Sequence, residues 1–148
     1  MTLAVIAAML CVSGQSAAPR TITESEATEL VHALLKPDGW TKLRGFVLYR
    51  ALFEGEFRDF YFIHAERANP AGGATAIGHF AVERSTGEVW DWVICGRFSS
   101  PSLTAAQQTL RKRIGLNEAE YQQIRKPGPF CAPDEKPQSL TIGKPKPK

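Results

Sequence analysis

The chain has 148 residues, 43% hydrophobic and 22% charged. That is enough for one globular domain with its own core, and it lies outside the composition of disordered chains. The net charge of +3 resides in residues 126–148, where five lysines oppose Asp134 and Glu135; the rest is balanced, so the charge implies no basic face on the body and no nucleic-acid partner is expected.

Met1 to Ala18 carry no charge. Leu3 to Val12 is an apolar run of secretory length, and Ser13 to Ala18 follow as small and polar residues. This reads as a signal peptide over residues 1–18, cleaved after Ala17 or Ala18, although no Lys or Arg precedes the run. A buried N-terminal helix is the alternative. The run is too short to span a membrane, which takes roughly 20 apolar residues. Leu10 stands before Cys11 where a lipid anchor needs a small residue. A periplasmic or secreted protein is therefore expected, with a single domain over 19–131 and a disordered tail over 132–148.

Removal of the leader takes away Cys11 and leaves Cys95 and Cys131. In an exported domain these two form one disulfide, fastening the C-terminal segment to the last strand. Loop-closure entropy gives roughly 3–4 kcal/mol for a loop of that size. Two buried free thiols are the alternative. His32, His64 and His79 lack ligand spacing to either cysteine, so no metal and no cofactor is expected.

In chain order, Thr23-Glu24-Ser25-Glu26 fits a capping box. Ala27, Leu30, Val31, Leu34 and Leu35 then form one helical stripe, which Pro37 and Gly39 end. Phe46 to Phe53 and Phe57 to Ala65 read as strands joined by a turn at Glu54-Gly55. That turn sets Arg50 opposite Asp59. Val47, Tyr49, Phe60 and Phe62 share one face; Phe46, Leu48, Tyr61 and Ile63 share the other. Both faces are apolar, so each is covered or one is a binding surface. Glu66 to Thr75 is a loop by composition.

Ile77 to Cys95 is the central hairpin. A three-residue loop, Ser85-Thr86-Gly87, sets Phe80 opposite Trp92 and Val82 opposite Trp90, an aromatic face expected beneath the first helix. The other face carries His79, Glu83 and Asp91, with Asp91 opposite Ala81 and diagonal to His79. Ser100 and Pro101 open a second helix with Leu103, Ala106, Leu110 and Ile114 on its apolar edge, and Gly115 ends it. Asn117 to Glu120 cap a third. The fold class is α+β: an N-terminal helix, a four-stranded antiparallel meander sheet, two C-terminal helices and a disulfide-tied tail.

Thr23-Glu24-Ser25-Glu26-Ala27 and Phe80 to Val89, with its Ser85-Thr86-Gly87-Glu88 turn, resemble a PepSY-type domain over about residues 23–92. The Trp90-Asp91-Trp92 strand, the cysteine pair and the two added helices depart from that pattern. The resemblance implies an exported binding or inhibitory module with no catalytic residues to transfer. By analogy the whole is similar to small bacterial periplasmic immunity and inhibitor proteins.

The functional expectation is a protein-binding module whose partner is an envelope enzyme or toxin, with contact residues Tyr61, His79, Glu83 and Asp91. One alternative is an envelope structural or assembly protein using its sheet edge or basic tail. Another is a small hydrolase using His79 and Asp91, for which no nucleophile is identified.

Overall fold

The computed structural model describes residues 21–52, 57–69 and 71–145. The expected signal peptide, the Glu54-Gly55 turn and the last three residues lie outside the described residues. Three α-helices and a six-stranded sheet follow one another as α1 (Glu24–Leu35), β1 (Val47–Ala51), β2 (Phe60–Ala68), β3 (Ala74–Glu83), β4 (Val89–Asp91), β5 (Gly96–Phe98), α2 (Pro101–Ile114), α3 (Glu118–Ile124) and β6 (Gln138–Leu140). Strand order equals chain order, antiparallel from β1 to β5, with β6 parallel to β5. The α+β class stands. The four-stranded meander becomes a six-stranded mixed sheet.

The helices start and stop where local chemistry dictates. Thr23 and Glu26 close a reciprocal capping box on α1, and Asn117 and Glu120 do so on α3. Ser100 accepts from the Leu103 amide, Pro101 opens α2, and Gly115 ends it at φ 72°. The apolar edges of α1 and α2 bury Leu30, Val31, Leu34, Leu103, Leu110 and Ile114 against Ile63, Phe80, Val82, Val89 and Phe98 of the sheet. This is the main core. No helix among the described residues is long and apolar enough to cross a membrane.

Strand register is where expectation and structure part. In β1 and β2, Val47 faces Glu66 and Arg50 faces Ile63. Arg50 therefore does not meet Asp59; it pairs with Glu24 at 2.8 Å, and Asp59 pairs with Lys126 at 2.6 Å. The shift is an even number of residues, so the expected partition of faces survives. The Glu66–Thr75 loop is also shorter than expected. The two strands run on past a bulge at Ala65/Glu66, leaving only residues 69–73 as the turn.

The central hairpin slips by one residue. Phe80 faces Asp91, Ala81 faces Trp90 and Val82 faces Val89. Glu83 and Glu88 close a four-residue loop, Arg84 to Gly87, through the bonds Glu83 N to Glu88 O and Gly87 N to Glu83 O, both 2.9 Å. A one-residue slip sends alternate side chains to the opposite face. Trp90 therefore lies not beneath α1 but on the far side of the sheet, in a second cluster with Phe62 and Ala81, flanked by Phe57, Phe60, Trp92 and Cys131.

Residues beyond α3 form a strap over that second cluster. Gly128 is buried against Trp90. Cys95 and Cys131 are joined as expected, with Cα atoms 4.7 Å apart. The tail expected to be disordered from residue 132 instead supplies β6. Gln138 N donates to Cys95 O, Ser99 N donates to Leu140 O, and Trp40 Nε1 donates to Gly143 O at 2.7 Å. Leu140 seats over Gly96, where a Cβ would stand 2.3 Å from its Cδ1.

Candidate interface on the uncovered face of the sheet

The two faces of the sheet are covered unequally. On the α1/α2 face the helices cover Ile63, Phe80, Val82 and Val89. On the opposite face, α3 and the strap lie over Trp90 and Glu88, while the part nearer β1 remains open. Alternation along each strand brings Tyr49 of β1, His64 of β2, His79 of β3 and Trp92, just past β4, into one transverse stripe.

The rings touch in series. Tyr49 stacks on His64 with centroids 5.1 Å apart. His64 meets His79 edge-on at 4.2 Å, and His79 stacks on Trp92 at 4.8 Å. Phe62, Phe57 and Phe130 continue the aromatic surface from Trp92 towards the disulfide. Val47 is 48% exposed, Tyr49 43%, Val93 65% and Phe130 42%. Exposed apolar side chains beside half-buried aromatic rings are the composition that the cores of protein contact surfaces share.

Tyr49, Glu66, His64 and His79 set the electrostatics of the stripe. Tyr49 Oη donates to Glu66 Oε1 at 2.8 Å, and that bond holds the Tyr49 pKa above its ordinary value. The same Glu66 oxygen lies 3.5 Å from His64 Nε2. Burial lowers the His64 pKa, the neighbouring His79 lowers it further, and Glu66 opposes both. His64 Nε2 and His79 Nδ1 are buried without a hydrogen-bond partner. Near neutral pH the His64 ring is therefore uncharged and serves as an aromatic body.

The four residues singled out from the sequence do not form one site. His79 belongs to the stripe. Tyr61 is on the helix-covered face, where its hydroxyl donates to Ile22 O at 3.2 Å. Asp91 is also on that face, opposite Phe80, and its Oδ1 accepts from the Val93 and Ile94 amides at 2.7 and 3.2 Å. His79 and Asp91 thus lie on opposite sides of the sheet, and the acid–base pair drawn between them does not exist.

Glu83 is fully buried at the far end of the hairpin, where its carboxylate accepts from Ser85 Oγ at 2.9 Å and Thr86 Oγ1 at 2.6 Å. Burial raises its pKa; the two hydroxyls and the Lys126 backbone pull the other way. It closes a loop rather than facing a partner. Trp92 escaped the sequence reading because its face depends on the hairpin register, and His64 because its neighbours in the stripe come from other strands. The shared parity of Tyr49, Phe62 and His64 was the signal that pointed to them.

Comparison with known proteins yields one informative likeness. A solved chain from a type VI secretion system effector–immunity complex of Pseudomonas protegens superposes with a TM-score of 0.57 at 22% identity, over 70% of this chain and 85% of that one. At that identity the likeness establishes the fold. No family model and no curated protein matches the sequence, so the PepSY resemblance of residues 23–92 gains no support.

Proposed function

We propose that the chain is an exported protein-binding module of the immunity kind, which grips an enzyme toxin and blocks it. The observation that carries this reading is the ring stripe Tyr49–His64–His79–Trp92 on the sheet face away from α1 and α2. A broad, shallow aromatic surface suits a protein partner better than a small molecule, which takes a concave pocket. The fold shared with a chain of an effector–immunity complex supports a toxin as that partner. The Cys95–Cys131 disulfide supports an oxidising compartment, in keeping with the uncharged leader. A binding rather than catalytic role is supported by His79 and Asp91 lying on opposite faces of the sheet and by the engagement of Asp91 in a turn.

Capture from envelope extracts of the producing cell, with wild type and Tyr49→Ala/His79→Ala chains side by side, tests the reading. One enzyme should be retained by wild type, lost from the double variant, and inhibited at equimolar ratio by the purified wild type. Equal retention by both chains would remove this face as the site. A retained enzyme whose activity is untouched would remove the immunity role.

A further inference from the structure

At the end of the sheet where the β1–β2 connection lies, three arginines converge. Arg50, Arg58 and Arg84 line a pocket of about 270 Å³ together with Phe57, Phe60 and Tyr61. The guanidinium of Arg84 sits 4.8 Å from the Tyr61 ring centroid and that of Arg50 5.8 Å from the same ring. Two cations share one aromatic body, and a third closes the rim.

The backbone fixes this arrangement. Arg84 N donates to Asp59 O and Ile22 N donates to Arg84 O, both at 2.8 Å, so Arg84 is held between the strand connection and the segment before α1. Arg84 Nη1 donates to Arg58 O at 3.1 Å, while Arg84 Nε is buried and has no acceptor.

Among the described residues one carboxylate pairs with the cluster, and it takes Arg50 alone. Glu24 engages Arg50, Asp59 is taken by Lys126, and Glu83 is held by Ser85 and Thr86. Among the described residues neither Arg58 nor Arg84 has an ion-pair partner. A buried guanidinium N–H without an acceptor loses a hydrogen bond that water would have supplied, and like charges around one hollow repel. An oxyanion relieves both at once, because the planar guanidinium fork matches a carboxylate or phosphate through two parallel bonds. The volume suits a single anionic group rather than a large ligand.

From this geometry we propose that the Arg50–Arg58–Arg84 pocket binds an oxyanion, a carboxylate or a phosphate group. Arg84 Nε supplies a donor, and the Arg58 guanidinium closes over the anion from the rim. The site is separate from the aromatic stripe and does not depend on the toxin-binding reading.

Arginine side-chain NMR on the full chain tests it, because the Arg84 Nε–H resonance reports its own acceptor. Inorganic phosphate and N-acetylglutamate are titrated separately at constant ionic strength. The Arg84 resonance should move saturably with at least one of them. Saturation by phosphate alone assigns a phosphate, and saturation by N-acetylglutamate alone assigns a carboxylate. Arg58→Gln, at an exposed position, should weaken binding at least tenfold while the remaining spectrum stays native. Arg84→Lys, which keeps the charge and loses the fork, should do the same, read there through the Arg58 side-chain resonance. Lys112→Gln on the exposed side of α2 should bind as wild type. Shifts that grow linearly and match a chloride control would overturn the proposal, as would saturation persisting in both arginine variants.

Discussion

Gly128 and Trp90 show how much of this fold hangs on single contacts. Trp90 is 1% exposed, and a Cβ on Gly128 would stand 2.6 Å from its Cε3. The ring is enclosed and cannot swing away, so Gly128→Ala should overpack the strap and cost about 1–3 kcal/mol in urea unfolding. An unchanged midpoint would mean that the strap does not seat on the ring. A second contact is polar. Tyr121 Oη makes a short hydrogen bond to Glu88 Oε1, Arg97 reaches the same oxygen at 3.1 Å, and Arg111 lies over the Tyr121 ring at 3.6 Å. Burial and the Glu88 carboxylate together raise the Tyr121 pKa, so its hydroxyl stays a donor. Tyr121→Phe keeps the ring under Arg111 and removes that donor from a buried carboxylate. It should cost about 1–3 kcal/mol. Tyr121→Phe in a Glu88→Gln background should cost measurably less, and equal costs in the two backgrounds would separate the hydroxyl from the carboxylate.

Elements differ in how openly the sequence declares them. The ends of α1, α2 and α3 were legible because caps are local: Thr23 with Glu26, Ser100 with Pro101, and Asn117 with Glu120 each act within one turn. Registers were not, because they depend on groups far apart in the chain. The hairpin loop has four residues rather than three because Glu83 draws the Ser85 and Thr86 hydroxyls inward and Glu88 turns towards Arg97 and Tyr121. Neither Arg97 nor Tyr121 belongs to the hairpin, so the hairpin alone could not reveal the slip. The Arg50–Asp59 charge match misled for the same reason, since each residue has a better partner elsewhere, Glu24 and Lys126. β6 escaped notice because three polar-edged residues form a strand only beside a β5 edge that the disulfide has brought close. That dependence is testable. Replacing Cys95 and Cys131 by Ala should cost roughly 3–4 kcal/mol. Amide exchange should then quicken first in β6 and residues 126–131 while α1 and α2 keep their protection. Uniform loss of protection would place the disulfide in the main core instead.

At the scale of the whole molecule, the sheet is a partition with a buried acid at one end and a histidine pair on its open face, and the two titrate in opposition. Glu83 has a pKa raised above its ordinary 4.5, chiefly by burial. The folded chain therefore holds that proton longer than the unfolded chain, and the stability this contributes is present below pH 4.5 and lost as pH rises through the raised value. His64 has a pKa lowered below its ordinary 6.5, by burial and then by His79, with Glu66 opposing. The unfolded chain takes up that proton first, so stability is lost as pH falls below 6.5 towards the lowered value. Tyr49, Glu66, His79 and Trp92 are the groups that face His64, and Ser85, Thr86, Glu88 and Lys126 those that face Glu83. The Glu83 slope runs upward from pH 4.5 and the His64 slope downward from pH 6.5, and the two have opposite sign. Single substitutions should unmask them. Glu83→Gln keeps the loop hydroxyls partnered and removes one limb, so its stability relative to wild type should rise as pH rises from 4.5. His64→Gln removes the other limb, so its stability relative to wild type should fall as pH rises towards 6.5. Urea unfolding at closely spaced pH values reads both differences directly, and two difference curves sloping the same way would mean that one of these groups is not buried as the fold places it.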